Sequence, residues 1–306
     1  MNIINMTNSN KKNLIVIAGP TAIGKTSLSI KLAKELKTEI ISCDSRQFYK
    51  ELSIGTAIPS KEELREIEHH FIQNQSIEKR CNIADFEKNA IKKIESLFQR
   101  YNHVILVGGS GLYIDAICKG IDFLPDISKE IREKINTQYR KNGLEWLQNK
   151  VKKLDPEYFE YVDIKNPQRL IRCLEVYTAS TNKISSLHKK KYKQRNFNII
   201  KIGLKIDRES LYKKINIRVD KMIKDGLIDE AKHLINYRHY NALNTVGYKE
   251  LFDFFDGNSN LETAIEKIKQ NTRRLAKRQI TWFKRDKSIN WFTIDEYKAI
   301  VKTILQ

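Results

Sequence analysis

Apolar residues along this chain fall into short unbroken runs, separated by longer stretches in which they recur every three or four positions. Residues 14–18 (LIVIA), 39–42 (EIIS) and 104–107 (VILV) are too short for helices and read as buried strands. Residues 198–206 (NIIKIGLKI) alternate and read as a strand returning to the same sheet. Between these runs, Leu28, Leu32 and Leu36 repeat every fourth residue, and Phe86, Ala90, Ile91, Ile94 and Phe98 share one side of a helix over 85–99. Further helices are predicted at 209–224, 228–237 and 261–285. Strand–helix alternation with continuous apolar strands predicts an α/β fold with a doubly wound, mainly parallel sheet.

From about residue 120 to 190 the strand signals fade and polar helices take over. One helix opens at Asn166-Pro167, a cap followed by proline in the first turn. Beyond it Gln168, Arg169, Arg172 and Glu175 share one face, and Leu170, Ile171, Leu174 and Tyr177 cover the other. The pattern therefore predicts a core domain of residues 10–119 and 191–306, interrupted by a helical insertion of residues 120–190. The C-terminal region of the core is helical.

The turn after the first strand carries the chemistry. Gly19-Pro20-Thr21-Ala22-Ile23-Gly24-Lys25-Thr26 is a complete G-x-x-x-x-G-K-[ST] loop between a predicted strand and a predicted helix. Gly19 and Gly24 let the backbone curl so that N–H groups point at a phosphate oxygen. The helix start and Lys25 add positive charge, and the Thr26 hydroxyl can ligate Mg²⁺. A di- or triphosphate ligand is expected, on a P-loop NTPase-like core. The strand over 104–107 runs into Gly108-Gly109 with no acid at its tip, so the usual Mg²⁺-holding carboxylate is missing there. The crevice carboxylate is instead Asp44, after the second strand. A turn aspartate ordinarily caps its own backbone, but beside a P-loop Asp44 is well placed to take a proton from a nucleophile. Only 12 glycines occur, and half fall in the P-loop, in SIGTA around Gly55, and in GGSGLY at 108–113. A chain that avoids glycine elsewhere keeps it where backbone must approach something closely.

Arg218 falls on the edge of the apolar stripe formed by Leu211, Ile215 and Val219. It either snorkels outward or turns into a site, where a guanidinium needs an anion such as phosphate. The last long helix, NTRRLAKRQITWF, sets Arg273 with Lys277 and Arg274 with Arg278 at i,i+4. Such like-charge pairs repel and suggest an anionic surface opposite, a solvated basic face being the alternative.

Charge sharpens this picture. The chain carries a net charge of +19 with a pI near 9.6, which suits a polyanionic partner, although enrichment in Lys, Ile and Asn throughout would also raise it. Clustering favours nucleic acid: HKKKYKQR at 188–195 holds five basic residues and no acid, and 269–287 holds eight against Asp286 alone. Cys43, Cys81, Cys118 and Cys173 are scattered without a C-x-x-C pair, so no disulfide framework or zinc site is suggested. No apolar stretch is long enough to span a bilayer, and the N-terminus lacks the apolar stretch of a signal peptide, so a cytoplasmic protein is expected.

These segments together resemble the tRNA dimethylallyltransferase family. The matching stretches are GPTAIGKT (19–26), DSRQFY (44–49), IGTA (54–57), GGSGLY (108–113), NPQRLIRCLEV (166–176), LYKKINIRVDKMIKDGL (211–227), TVGYKEL (245–251) and NTRRLAKRQITWFKRD (271–286). They cover almost the whole chain in family order. The resemblance implies transfer of a dimethylallyl group from dimethylallyl diphosphate to the amino group of the adenosine beside the anticodon, in tRNAs reading codons that begin with U. It implies that Lys25, Thr26, Mg²⁺ and Arg218 hold the leaving diphosphate and that Asp44 is the general base. Asp44, Ser45, Arg46, Gln47, Gln168, Arg169, Leu170, Ile171 and Arg172 would line the tRNA side. Ser110 and Arg132 would contact the nucleotide or its neighbours, and Arg274, Lys277 and Arg278 would meet RNA phosphates. The insertion would clamp the anticodon stem-loop, and a monomer is implied. Three positions depart from the family pattern: Ser53 and Ile58 stand where it has an acid and a lysine, and Gln73 where an acid often follows HHLI. The rival readings are a P-loop small-molecule kinase, with Asp44 activating a hydroxyl, and a non-catalytic RNA-binding protein with a vestigial nucleotide site.

Overall fold

The computed structural model describes residues 11–79, 82–122, 124–188 and 192–306. The expectations placed on the N-terminal ten residues, on Cys81 and on Lys189, Lys190 and Lys191 lie outside these described residues. The first half runs β1 (Asn13–Ala18), α1 (Lys25–Leu36), β2 (Ile40–Ser42), α2 (Lys61–Glu66), β3 (His69–His70), α3 (Ile83–Phe98), β4 (His103–Gly108) and α4 (Gly111–Lys119). Four helices follow: α5 (Lys129–Leu154), α6 (Pro156–Tyr161), α7 (Pro167–Ser180) and α8 (Ile184–Leu187). The chain then forms β5 (Asn198–Leu204), α9 (Arg208–Lys224), α10 (Leu227–His233), α11 (Tyr248–Phe255), α12 (Leu261–Phe283), β6 (Ile289–Phe292) and α13 (Tyr297–Leu305).

The six strands form one sheet in the order β3-β2-β4-β1-β5-β6, and every pairing is parallel. The unbroken apolar runs become the strands covered on both faces: residues 14–17 in β1 and 104–106 in β4 are wholly buried. One face packs on Phe86, Ala90, Ile94 and Leu97 of α3, the other on Leu28, Leu32 and Ala33 of α1 with Leu211 and Ile215 of α9. Because β2, β4 and β1 are neighbours, the three turns at their carboxyl ends lie side by side. That is where a doubly wound sheet gathers its ligand.

The described chain divides into two compact units, one comprising the residues up to Cys118 with Gln194–Gln306, the other Lys119–Lys193. The second unit is purely helical and has its own core, built from Leu147, Val151, Leu170, Ile171, Leu174 and Val176. Its longest helix, α5, breaks at Gly143, whose φ of 75° is open to glycine at no steric cost. Helix α7 starts as the sequence suggests, with the Asn166 side chain accepting the Arg169 N–H and Pro167 in the first turn.

Six elements were not legible in the apolar pattern: α2, β3, α4, α11, β6 and α13. Two of them are short enough to hide. Strand β3 has two residues, anchored where Glu39 meets His70 at 2.6 Å, the Tyr101 hydroxyl at 2.8 Å and Arg100 at 2.9 Å. Helix α2 has six, held by a capping box between Ser60 and Glu63. Cys43, Cys118 and Cys173 are buried.

Candidate active site

The P-loop leaves β1 at Ala18 and enters α1 at Lys25. Gly24 adopts φ 104° at the helix N-cap, where a side chain would be strained. Ala22 takes φ 64° without being a glycine, a conformation that costs on the order of 1 kcal/mol and is found where a loop is held for a purpose. The Lys25 ammonium folds back on its own loop, donating to the carbonyls of Gly19 (3.0 Å) and Pro20 (2.7 Å). Burial pulls its pKa down to about 7; the neighbouring Arg218 guanidinium pushes the same way and the Asp44 carboxylate opposes both. Burial likewise lowers Arg218 from its usual value, against the attraction of Asp44. The three charges therefore share one site. The helix-edge position of Arg218 resolves in favour of the site rather than solvent.

Their setting is a cleft of about 500 Å³ at the carboxyl ends of β1, β2 and β4. Thr21 to Ser27 of the P-loop, Ser42, Asp44, Gln47, Gly108, Gly109 and Arg218 line it, with Lys214 and Lys221 of α9 on one flank and Glu63 and His69 on the other. A smaller cavity of about 110 Å³ adjoins it. The two share Thr21, Asp44, Arg218 and Gln279, but the second is walled by Val219, Met222, Leu227, Val246, Ile268 and Leu275. The second cavity also takes Arg46, Thr56, Thr245 and Thr272 in its wall, and the two meet at Asp44 and Arg218.

Sequence reasoning gave Gln279 no role, yet it joins the parts. Its Oε1 accepts the Thr21 N–H at 2.9 Å and its Nε2 donates to the Gly109 carbonyl at 3.0 Å, tying P-loop to β4 turn. A Cβ on Gly109 would lie 2.4 Å from that nitrogen, which accounts for glycine there. The signal lay in RRLAKRQITW, where one uncharged amide sits among the bases. His69 was also missed: its Nδ1 meets the Ile67 carbonyl at 2.8 Å, while the buried Nε2 has no protein partner. Burial lowers its pKa, so it stands neutral in the cleft.

The turn after β2 is more structural than its motif implied. Asp44 Oδ1 accepts the Arg46 N–H at 3.0 Å, the ordinary role of a turn aspartate, while the same carboxylate borders both cavities. Ser110 Oγ accepts the Ser45 N–H at 3.2 Å, closing β4's turn onto β2's. Arg46 donates to the carbonyls of Asn241 (2.6 Å) and Asn244 (3.3 Å). Gln47 accepts the Ser42 hydroxyl and donates to the carbonyls of Thr56 and Ala57, so its amide positions the SIGTA loop. That loop wraps its N–H groups of Ser53, Ile54 and Gly55 around the Glu230 carboxylate at 3.1, 2.8 and 2.9 Å. The buried Tyr248 hydroxyl adds a fourth bond to Glu230 at 2.6 Å. Two of the departures touch: Gln73 Nε2 donates to Ser53 Oγ at 2.8 Å, so amide and hydroxyl make a neutral pair.

In the helical unit, Glu175 is buried and pairs with Arg132 Nε at 2.9 Å and Arg172 Nη1 at 3.4 Å, which removes it from the polar face expected of α7. Gln168 and Arg169 are exposed. Leu170 and Ile171 correct the expectation of RNA contact: their side chains are 0% and 3% exposed, packed in this unit's core. On α12, Arg274, Lys277 and Arg278 are exposed, whereas Arg273 turns to Asn216 at 2.7 Å. Arg195, counted above with the basic run, is a half-buried clamp on Glu87 (2.8 Å) and on the carbonyls of Ala116 and Ile117. Among the described residues no helix is long and apolar enough to cross a membrane.

Known proteins with related sequences and folds bear on this geometry. The family model described as IPP transferase matches residues 47–286, beginning after β2 and the Asp44 turn. A tRNA dimethylallyltransferase of Christiangramia forsetii is 55% identical over 92% of this chain and 94% of its own length. One from Flavobacterium johnsoniae is 53% identical over 92% and 93%. Among solved structures, the tRNA isopentenylpyrophosphate transferase of Bacillus halodurans matches with a TM-score of 0.70 at 35% identity, covering 96% of this chain and 97% of that one. A eukaryotic dimethylallyltransferase acting on tRNA gives 0.73 at 27% identity over 89% and 70%. With a family model spanning most of the chain and relatives identical at more than half of the aligned positions, this chain belongs to the IPP transferase family.

Proposed function

We propose that this chain transfers a dimethylallyl group from dimethylallyl diphosphate to the exocyclic amine of the adenosine beside the anticodon of tRNA, releasing diphosphate. The observation that carries the reading is a P-loop cleft that adjoins a second cavity at one carboxylate, Asp44, and one guanidinium, Arg218. The diphosphate belongs in the polar cleft, against the P-loop amides, Lys25 and Arg218. As the allylic C–O bond breaks, charge grows on the departing diphosphate, and these preset donors stabilise it. The amine forms the new C–N bond with the same carbon, and its surplus proton passes to Asp44, whose Oδ1 bond to Arg46 holds the carboxylate in orientation. The adenine must leave its stack to reach this point, at a cost of roughly a few kcal/mol that contacts in the smaller chamber offset.

Thr26 puts a hard hydroxyl oxygen into the cleft, and it would help to hold a Mg²⁺ ion beside the diphosphate. Bound there, the ion would add positive charge where the leaving group becomes anionic. The exposed Arg274, Lys277 and Arg278 on α12 would meet RNA phosphates, and the helical unit would clamp the anticodon stem-loop through Gln168, Arg169, Arg132 and Arg172. A monomer acting in the cytoplasm fits this reading.

The test is transfer of labelled dimethylallyl groups from the diphosphate to unmodified tRNA, run beside ATP with small alcohols. Label on tRNA is the expected result. Phosphorylated alcohol without labelled tRNA would hand the site to a small-molecule kinase.

A further inference from the structure

Between α10 and α11 the chain makes two short 3-10 turns, Ile235–Tyr237 and Asn241–Leu243, and exposes aromatic rings between them. Tyr237 is 42% exposed and His239 is exposed, which is unusual for rings that nothing in the catalytic cleft uses. Both pack on the half-buried Tyr240. The Tyr237 ring lies 6.3 Å from it at 21°, and the His239 ring 4.2 Å at 35°.

The group is fixed before any ligand arrives. Arg238 grips both oxygens of Asp256 at 2.7 and 2.8 Å, and the Tyr240 N–H bonds to the Tyr237 carbonyl at 2.9 Å. Tyr240 also packs against the apolar cluster around Leu243 and Tyr248. A second observation places it. Arg46 holds the carbonyls of Asn241 and Asn244, and the next residues, Thr245, Val246 and Gly247, form the wall of the smaller chamber beside Asp44. The rings therefore belong to the same turn segment that Arg46 ties down and that continues into the wall of the cavity assigned above to the adenine. Charge agrees: from Ala231 to Lys249 there is no acidic residue, while Lys232, His233, Arg238, His239 and Lys249 occur.

We infer that the Tyr237–Tyr240 turn is a stacking platform for an unpaired base of the RNA. The inference rests on the proposed function for its choice of RNA. Rigid aromatic rings held by backbone turns lose little freedom on binding, and every base offers a π-face, so the platform favours unpaired bases over a paired stem. Each stacked base is worth roughly five- to a hundredfold in affinity.

The test uses the full chain with Tyr237→Ala and His239→Ala together, and Tyr237→Phe as the conservative variant. Affinity is measured for an anticodon hairpin with its unpaired loop and for a fully paired duplex of equal length and charge. Thermal unfolding checks that each variant folds. The double variant should lose at least about fivefold on the hairpin and less than twofold on the duplex, and Tyr237→Phe should keep wild-type affinity. Unchanged hairpin binding, or equal losses on both RNAs, would overturn the platform. Transfer by the wild type is read in the same preparations. A loop-specific loss without wild-type transfer would overturn only the prenyl-transfer reading, and wild-type transfer with unchanged hairpin binding would overturn only the platform.

Discussion

Lys25 shows how a single side chain can be both placed and held in reserve. In the free protein its ammonium bonds to the carbonyls of Gly19 and Pro20, and burial beside Arg218 brings its pKa to about 7. A bound diphosphate supplies negative charge and raises that pKa again, so binding takes up a proton wherever the free lysine is neutral. The sign follows: diphosphate affinity is fully expressed below pH 7 and falls as pH rises through 7 to 9, by up to about tenfold per unit. Calorimetry in buffers of different ionisation enthalpy should show uptake approaching one proton at pH 8, and none in Lys25→Arg. A pH-independent affinity would mean that Lys25 stays charged throughout. At this scale the sequence was legible where a residue's type dictates its chemistry, as at Lys25, Asp44 and Arg218. It was silent on Gln279 and His69, because a neutral amide or imidazole gains its role from partners distant in sequence, Thr21 and Gly109 in the one case.

The SIGTA loop and its support show what an element adds. Three backbone N–H groups and the Tyr248 hydroxyl converge on Glu230 of α10, and Tyr248 packs so closely on Gly55 that a Cβ there would come within 2.6 Å of its ring. Burial and the nearby Glu230 carboxylate raise the Tyr248 pKa, so the phenol stays protonated as a donor. Glu230→Gln keeps the shape but turns an NH₂ toward N–H donors, leaving charge-assisted bonds unmade at roughly 2 kcal/mol or more. The thermal unfolding midpoint should fall by several degrees, and cleavage by protease within 52–58 should appear. Wild-type stability in this variant would show that the carboxylate is dispensable. None of this is written in the apolar pattern, since a loop built on a nest of amides has no periodicity. The long elements were legible because periodicity specifies which face is buried, as for α1, α3 and α9. Helix α11 was hidden by its length of eight residues, and β6 by its four.

Across the whole molecule, the order β3-β2-β4-β1-β5-β6 brings three turns far apart in sequence to one crevice. The parallel class of the sheet followed from its continuous apolar strands, but strand order could not, because it depends on which helices fill which face. The expectation of basic RNA-binding stretches was partly revised by pairing. Lys201 takes up Asp286, Lys269 takes up Asp220, and Arg195 is spent on Glu87, while the exposed Arg274, Lys277 and Arg278 of α12 are among the bases left to meet a polyanion. The same physics that buries a charge removes it from the interface. What remains central is that Asp44 receives the proton of the attacking amine. The measurement that bears on this most directly compares dimethylallyl transfer to unmodified tRNA by the wild type and Asp44→Ala, with tRNA affinity measured alongside. Loss of at least about a hundredfold in rate, with affinity within a few-fold of wild type, is the expected result. Transfer by Asp44→Ala at the wild-type rate would contradict it, leaving Asp44 the turn aspartate that its bond to Arg46 also makes it.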